Sequence, residues 1–352
     1  MIKTAVWAGL DYGEALTAIC LIDASGVPVL ECSCPSEAGQ VAAVLQAPGK
    51  GDLTSVIIEG ASPTPFIRAL REHGLPVTVV DSLKASKLLG VRRNKTDTND
   101  ARGLAEIGRV GAAAKMPVFL RSVEHSAIRD QLIIRDQIVR QAASLRSCLR
   151  AMLRKWGSSV RTLPRGSRLR SLVEDELSAV EAQGALRKVA LEMVTLNEHM
   201  VRFAAAMSWQ LQCKAESIPQ TRAFMAIPGV GHLTALAFYS LIEDPYRFQK
   251  AEDVAAYLGL VPRVKQSGTA VRRSGIGKCG DRFVRRSLVL AAQVLIGRRA
   301  AHTALRDWAL TIASRSGHRT AMVAAARKLS VMMLSMWKSG RDFEPYPSAT
   351  RV

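Results

Sequence analysis

Four acidic residues have the types and positions that a divalent-metal nuclease requires. Asp11 closes the apolar run TAVWAGLD, Glu59 closes the run TSVIIEG, and Asp97 and Asp100 lie in a segment with a helical pattern. Mg²⁺ prefers carboxylate and phosphate oxygens, and two such ions about 3.5–4 Å apart stabilise both the attacking and the leaving oxygen of a phosphoryl transfer. The four residues therefore predict a site for Mg²⁺, with Mn²⁺ as the alternative, that acts on nucleic acid.

The spacing of Asp97 and Asp100 supports the metal hypothesis. Residues three apart lie on one face of a helix, and two like charges there are costly unless a cation neutralises them. The alternative is that Asp97 caps the helix, a role for which Thr96 and Thr98 compete.

The front of the chain has the element order of an α/β RNase H-like (RuvC-like) fold. Asp23-Ala24-Ser25-Gly26 supplies a turn between two of the first strands. In such a fold the first and fourth strands are neighbours, so we expect Asp11 and Glu59 to project from adjacent strand ends. The sequence predicts strands over residues 5–11, 15–23, 27–34, 54–60 and 76–81, with helices over 37–46 and 63–74.

Two long helical patterns follow, over residues 122–156 and from about residue 184. They predict a long antiparallel coiled-coil arm, or else a helical hairpin within a globular core. In the first pattern Gln131 and Gln141 interrupt the best apolar stripe. In the second, apolar residues alternate in steps of three and four and predict a heptad seam of Leu186, Val189, Met193, Leu196, Met200, Phe203 and Met207.

The string Pro228-Gly229-Val230-Gly231 is typical of a helix-hairpin-helix turn. The small residues Gly229 and Gly231 would let backbone N–H groups approach a phosphate closely, although any tight turn between helices could use the same string. Mainly α-helical sequence then continues to about residue 338.

The segment from residue 263 to 299 is strongly basic, with Asp281 as its single acid. Phosphate contacts by such residues give salt-sensitive binding with little sequence readout. From the residues alone Ser267 and Ser274 are equal candidates for a nucleophile, since a serine hydroxyl needs help from a base, a metal or positive charge. The ten basic residues are Arg263, Lys265, Arg272, Arg273, Lys278, Arg282, Arg285, Arg286, Arg298 and Arg299.

The net charge of +19 is distributed unevenly over the 352 residues, which fall into three regions. Residues 1–118 hold 12 basic and 12 acidic side chains, residues 119–216 hold 16 and 10, and residues 217–352 hold 21 and 8. We predict a catalytic domain over 1–118, a coiled-coil arm over 119–216 and a C-terminal domain over 217–345 that grips a polyanion. The plain alternative is a basic protein without such a partner.

Cysteine usage and hydropathy indicate the compartment. The six cysteines include no C-x-x-C pair, which disfavours zinc, and the N-terminus lacks the pattern of a signal peptide. No stretch reaches the roughly 18 apolar residues of a membrane span. We expect a cytoplasmic protein that associates with the nucleoid.

The order and spacing of several motifs resemble the insertion-sequence transposases called the IS one-ten family. The resemblance covers nearly the whole chain, and the motifs together are far more specific than any one of them. They are Gly9-Leu10-Asp11, Glu59 after its strand, K-T-D-x-x-D-A-R at 95–102, I-P-G-V-G at 227–231, A-A-Y-L-G-L-V-P-R at 255–263, Q-S-G at 266–268 and the helix around residues 324–329.

This resemblance implies more than the residues alone. Family members are DEDD-type recombinases guided by a noncoding bridge RNA. Asp11, Glu59, Asp97 and Asp100 would bind Mg²⁺, and Ser267 would form a transient phosphoserine bond with DNA. The two catalytic parts are thought to meet across protomers, so the active form would be a dimer or tetramer that binds donor and target DNA.

Two other functions compete with a recombinase. A RuvC-like metal nuclease or junction resolvase would use water as its nucleophile and would not need Ser267. A non-catalytic RNA- or DNA-binding scaffold would not need Asp97 and Asp100. Clustered negative charge speaks against the scaffold, because it repels phosphates.

Overall fold

Alternating apolar residues build a five-stranded sheet at the front of the chain. Its order is β3-β2-β1-β4-β5, with β1–β2 and β2–β3 antiparallel and with β4 parallel to β1 and β5. The prediction that the first and fourth strands are neighbours is confirmed. The strands are β1 (Ala5–Tyr12), β2 (Leu16–Asp23), β3 (Pro28–Pro35), β4 (Asp52–Glu59) and β5 (Val77–Val80).

The computed structural model describes residues 5–49, 51–89, 96–180, 184–267 and 270–346, with side chains except at residue 89 and residues 264–274. Backbone contacts divide the chain into two units, one ending at Leu120 and the other beginning at Arg121. The sequences predicted to form the arm and the C-terminal domain both belong to the second unit. Their separation into two domains stays a prediction.

Helices cover both faces of the sheet. Side chains such as Leu10 and Ile58 are buried against α1 and α2, while Ile57 is buried against Leu104 and Ile107 of α4 on the opposite face. The first unit is therefore a three-layer α/β structure. Its helices are α1 (Ala38–Gln46), α2 (Thr64–Glu72), α3 (Ser82–Leu89) and α4 (Asp97–Arg109), followed by a 3₁₀ turn (Ala112–Lys115).

The second unit begins with a pair of long antiparallel helices. Arg135 Nε donates to Ser208 Oγ at 2.9 Å, and Asn197 Nδ2 donates to the carbonyl of Ala142 at 2.6 Å. Residue numbers therefore rise along one helix as they fall along the other. The pair consists of α5 (Val123–Lys155) and α7 (Ala185–Ser217).

Three positions of the predicted heptad seam of α7 are exposed rather than buried against α5. Val189, Leu196 and Phe203 are 50%, 50% and 57% exposed. The buried face of α7 instead carries the small residues Ala190 and Ala204. Small side chains let the two helix backbones approach closely, and a pattern that counts large apolar residues misses them. The stripe expected through Gln131 and Gln141 is displaced in the same way, because both are exposed and Leu132 and Ala142 are buried.

A further helix lies between the two long helices. This helix, α6 (Arg168–Ala179), buries Leu169, Val173 and Leu177, which are spaced by four residues. They form a small core with Leu149 and Leu153 of α5 and with Ala190 and Val194 of α7. The 12 residues of α6 include five charged side chains, so the apolar spacing gave too weak a signal for its prediction.

The remaining helices pack around α13, and this core includes the ends of α5 and α7 nearest to it. No helix within the described ranges is long and apolar enough to cross a membrane. All six cysteines are free thiols. The elements are α8 (Pro219–Met225), α9 (His232–Ile242), a 3₁₀ turn (Pro245–Arg247), α10 (Asp253–Tyr257), the hairpin β6 (Pro262–Ser267) and β7 (Ala270–Ile276), α11 (Arg282–Ile296), α12 (Ala304–Ser316) and α13 (His318–Ser339).

Candidate active site

Two of the predicted metal ligands lie side by side at one edge of the sheet. Leu10 pairs with Ile58 in the parallel register of β1 and β4, so the next residues, Asp11 and Glu59, are neighbours. Adjacent strands are about 4.8 Å apart, a distance over which two carboxylates can share a cation. Both are half-buried.

Helix α4 lies on the face of the sheet to which these two residues belong. Side chains alternate along a strand, so Asp11 shares its face with Gly9, and Glu59 shares its face with Ile57. A Cβ added to Gly9 would lie 2.0 Å from the carbonyl oxygen of Ala101 in α4. Helix α4 and strand β1 therefore approach each other so closely that only glycine fits at position 9.

The direction of α4 brings its first turn towards Asp11. A Cβ on Gly108, near the end of the helix, would contact Ile57 and Ser55 of β4, whereas Ala101 lies over Gly9. Following the helix back from Gly108 through Ala101 leads towards the end of β1 that carries Asp11. The first turn contains Asp97, which is exposed, and Asp100, which is half-buried.

Thr96, rather than Asp97, caps α4. The Thr96 side chain accepts a hydrogen bond from the backbone N–H of Asn99 at 3.3 Å. The alternative assignment of Asp97 as the cap is therefore wrong, and its carboxylate is not needed there. The positive end of the helix dipole stabilises both Asp97 and Asp100.

The four carboxylates do not form a closed metal cage. Among the described residues, no group of three or more His, Cys, Asp or Glu side chains is close enough to hold a metal ion. Carboxylates of like charge repel one another. The donor chemistry nevertheless fits a hard cation such as Mg²⁺, because all four predicted ligands supply carboxylate oxygens.

Arg102, two residues after Asp100 in α4, contributes to the packing of this helix on the sheet. Arg102 of α4 forms an ion pair with Glu31 of β3, with an N–O distance of 2.7 Å. This pair lies beside Cys20, whose pKa is raised to about 11 mainly by burial. Arg102 therefore ties α4 to the antiparallel side of the sheet. Lys95, which also begins the motif around Asp97, lies outside the described residues.

The predicted nucleophile is at the far end of the β6–β7 hairpin. Ser267 is the last residue of β6 and pairs with Ala270, and Ser274 pairs with Arg263 nearer the base. Lys265 and Arg272 are also partners in this register, and Arg273 pairs with Val264. The side chains of Ser267, Lys265, Arg272 and Arg273 lie outside the described part of the chain, so their roles stay predictions.

Three of the predicted phosphate-binding arginines make bonds within the protein. Arg263 donates to the carbonyl of Gly277, Arg285 donates to those of Leu258 and Cys279, and Arg286 pairs with Asp136 of α5 at 2.5 Å. These contacts fix the hairpin and α11 to their surroundings. The other residues of this set with described side chains, Lys278, Arg282, Arg298 and Arg299, are exposed.

The two glycines of the predicted helix-hairpin-helix turn have different surroundings. Gly229 has φ +90°, and an added Cβ would lie 2.4 Å from the carbonyl oxygen of Ala291 in α11. Its lack of a side chain is thus required for packing. Gly231 is exposed at the start of α9, and an added Cβ would meet nothing within 4 Å. A phosphate contact by either residue stays a prediction.

Sequence reasoning missed the group around Trp308. This tryptophan of α12 lies beside Lys328 of α13, whose Nζ is 4.4 Å from the ring centroid. The two residues are 20 positions apart, and only helix packing brings them together. An aromatic residue in a basic region of the sequence was the one signal that could have drawn attention to the group.

The fold and the acidic residues agree with the class predicted from the sequence, a metal-dependent enzyme that acts on nucleic acid. Carboxylates lie at the edge of a mixed sheet, and a basic helical unit follows. Two family models match the chain: a DEDD transposase model of the IS110 group at residues 8–157, and the model "Transposase IS116/IS110/IS902 family" at residues 221–309.

Named relatives agree with both models. The transposase for insertion sequence element IS1111A of Coxiella burnetii is 29% identical over 267 residues, which cover 75% of this chain and 71% of the relative. A probable family 20 transposase of Pseudomonas aeruginosa is 26% identical, over 80% of this chain and 82% of the relative. A pilin gene-inverting protein of Moraxella lacunata is 29% identical over 140 residues, 39% of this chain and 42% of that protein.

The chain belongs to the IS110/IS116/IS902 family of insertion-sequence transposases, and its first part is the DEDD domain of that family. It is therefore an enzyme that cleaves and rejoins DNA. The DEDD class also indicates that a divalent metal is needed.

The contact at Gly9 gives a first testable prediction. Gly9→Ala should destabilise the first unit by about 1–3 kcal/mol, because its methyl group would overlap the backbone of α4. Urea unfolding of the full chain, followed by circular dichroism, measures the change. DNA cleavage should fall as well, since Asp97 and Asp100 move with the helix.

Gly39→Ala is the matched control in the same unit. Gly39 is exposed in α1, and an added Cβ would lie 3.7 Å from the His73 ring, an ordinary contact. This variant should be as stable as the wild type or more stable by about 0.5–1 kcal/mol. Equal stability of Gly9→Ala and Gly39→Ala would contradict the close approach of α4 to β1.

Proposed function

We propose that this transposase cuts and rejoins DNA through a bond between Ser267 and a DNA phosphate. The first unit is RuvC-like in this proposal, and Asp11, Glu59, Asp97 and Asp100 hold Mg²⁺. Support for the proposal comes from the pairing of the strand ends that carry Asp11 and Glu59, and from the packing of α4 on β1, within a matched DEDD domain.

The reaction would proceed in two exchanges at phosphorus. The Ser267 hydroxyl loses its proton and bonds to the phosphate, and the strand end that leaves takes up a proton as a hydroxyl. A hydroxyl from another strand end then attacks the phosphoserine, which restores the serine and rejoins the DNA. The metal ions would stabilise negative charge on the attacking and leaving oxygens.

Ser267→Ala should abolish covalent capture of DNA. A suicide substrate, from which the leaving strand escapes after the cut, should yield a protein–DNA adduct with the wild type and none with this variant. Denaturing electrophoresis of a labelled substrate detects the adduct. Ser274→Ala is the matched control on the same hairpin and should retain the adduct.

The same experiment separates the proposal from its closest rival. A junction resolvase or other nuclease that uses water would still cleave with Ser267→Ala and would give no adduct with the wild type. An adduct that survives in Ser267→Ala would eliminate Ser267 as the nucleophile.

The carboxylates should be needed for the chemical step. Asp11→Asn should slow cleavage roughly 100- to 1,000-fold, because a weakened metal site loses several kcal/mol of charge stabilisation. A chelator should have the same effect on the wild type, and Mg²⁺ or Mn²⁺ should reverse it. Glu72→Gln, at an exposed acid of α2, should cleave as the wild type does.

Mixing two inactive variants tests whether each active site is built from two protomers. We place the acidic site of one protomer against the Ser267 hairpin of another in a dimer or tetramer. Mixing Asp11→Asn with Ser267→Ala should then restore part of the activity, because some composite sites contain both intact parts. A mixture as inactive as either variant alone would show that each site is built from one chain.

The long helices offer a surface for this pairing. Val189, Leu196 and Phe203 are seven residues apart on α7 and exposed, which is the spacing of a coiled-coil seam. We propose that α5 and α7 form a coiled-coil arm that joins protomers, as a domain between the catalytic and C-terminal domains. The turn at Gly229 and Gly231 would act as a helix-hairpin-helix contact to DNA.

A noncoding guide RNA is the proposed source of target choice. The basic residues of the hairpin and α11 suit phosphates, which carry no sequence information. Nuclease treatment that removes RNA from the purified protein should abolish cutting at a specific target, and the RNA encoded beside the gene should restore it. Specific cutting by RNA-free protein would contradict this part of the proposal.

A further inference from the structure

A cavity of about 720 Å³ lies between the base of the β6–β7 hairpin and the helices α12 and α13. Its size is within the range of sites that bind small molecules. The interior is apolar, with Ile276 from the hairpin and Val323 and Val331 from α13. Trp308 of α12 lines it too and is 36% exposed. The cavity thus offers a large aromatic surface and apolar walls to a ligand.

The residues at the rim carry positive charge. Lys278, Arg319, Arg327 and Lys328 all line the cavity and are exposed, and no acidic side chain among the described residues lines it. A cavity with apolar walls and a cationic rim suits a ligand with a flat apolar part and an anionic part. A nucleotide within a strand has this combination, since its base has a π-face and its phosphates are charged.

We propose that this cavity binds an unpaired base of the DNA strand on which the enzyme acts, with the base stacked on Trp308. The inference rests on the proposed function, which places DNA along the hairpin. A paired base is stacked within the duplex and cannot enter a cavity, so the bound base has to be unpaired or flipped out.

Two local contacts fit this role. Lys328 Nζ lies over the Trp308 ring, 4.4 Å from its centroid, and a phosphate of a strand stacked there would offer this ammonium group a partner. Lys278 has φ +56°, a backbone conformation that favours glycine, and its N–H donates to the carbonyl of Gly259 at 3.1 Å. A lysine rather than a glycine in this conformation is typical of a functional position.

The position on the hairpin indicates which part of the strand is bound. Pro262 lies at the cavity, and Ser267 is five residues further along β6. At about 3.4 Å per residue this separation is roughly 17 Å. It corresponds to about five nucleotides at duplex spacing. The base would therefore be held at a distance from the attacked phosphate, as an anchor for the strand.

Binding of single strands tests the proposal without any cleavage. The full chain is titrated with a labelled oligodeoxythymidine of about 12 nucleotides and with an abasic strand that has the same phosphates, and fluorescence anisotropy is measured. The wild type should bind the strand with bases about 5- to 150-fold more tightly, which corresponds to one stacked base. Trp308→Ala should reduce this ratio to about one and leave affinity for the abasic strand unchanged.

Two further variants keep the test decisive. Ala324→Leu adds bulk to the cavity wall and should also remove the preference for bases, even if Trp308→Ala fails to fold. Trp209→Ala alters a tryptophan of α7 that is 68% exposed, and it should keep the preference. All titrations can be repeated in a Ser267→Ala background, so loss of the phosphoserine proposal would leave this measurement intact.

Several outcomes would overturn the assignment. They are equal affinity of the wild type for both strands, no binding of either strand, and a preference for bases that survives in the folded variants at Trp308 and Ala324. An oligouridine that binds more than about 10-fold tighter than oligodeoxythymidine would assign the cavity to RNA instead and would also contradict the proposal.

Discussion

The close contact between α4 and the central strand is the constraint on which the acidic site depends. Carboxylates of like charge repel one another, so the proposed site needs rigid elements that hold its four acidic residues near one another. Gly9 lets the backbone of α4 lie against β1, and Gly108 does the same against Ile57 of β4. The helix that supplies Asp97 and Asp100 is thus fixed to both strands that supply Asp11 and Glu59.

The packing of α4 on the sheet affects both the stability of the first unit and the positions of the acidic residues. Side chains at the α4 interface are small or apolar, and the ion pair of Arg102 with Glu31 adds a polar tie at one side. Carboxylates of like charge repel one another, so the acidic residues depend on this interface for their positions. A change at the interface should therefore move the carboxylates.

The second unit divides its basic residues between structure and binding. Arg129 of α5 pairs with Asp281, which also caps α11 through the N–H of Val284, and Arg286 pairs with Asp136. The high positive charge of this region is therefore not all available to a polyanion. Lys278, Arg282 and the rim of the cavity remain exposed, so they are available for the proposed contacts with a nucleic acid.

Much of the first unit could be predicted from the sequence, because local patterns determine it. Strands β1 to β5 alternate or run apolar, and their order alone predicted that Asp11 and Glu59 would be neighbours. The long helices were predicted too, but the buried face of α7 was not. Alanines such as Ala190 and Ala204 carry little hydropathy, and their burial depends on how closely α5 approaches.

The site in the second unit was less predictable, for a physical reason. Ser267 and Ser274 are indistinguishable as residues, and only the resemblance to a family selected Ser267. Trp308 and Lys328 gave no pattern, because they meet through the packing of α12 on α13. Chemistry that depends on contacts between distant segments leaves no periodic signal in the chain.

Phosphate contacts and stacking on Trp308 would also limit which DNA sequences the protein alone can recognise. Phosphate contacts are the same for every sequence, and stacking on an aromatic ring tolerates any base. Direct reading of a duplex requires side chains that reach base edges in the major groove. A basic hairpin and a stacking cavity would hold a strand and keep it unpaired instead. Under the proposed function, choice of a site several base pairs long would come from pairing with another nucleic acid strand, which a guide RNA would contribute.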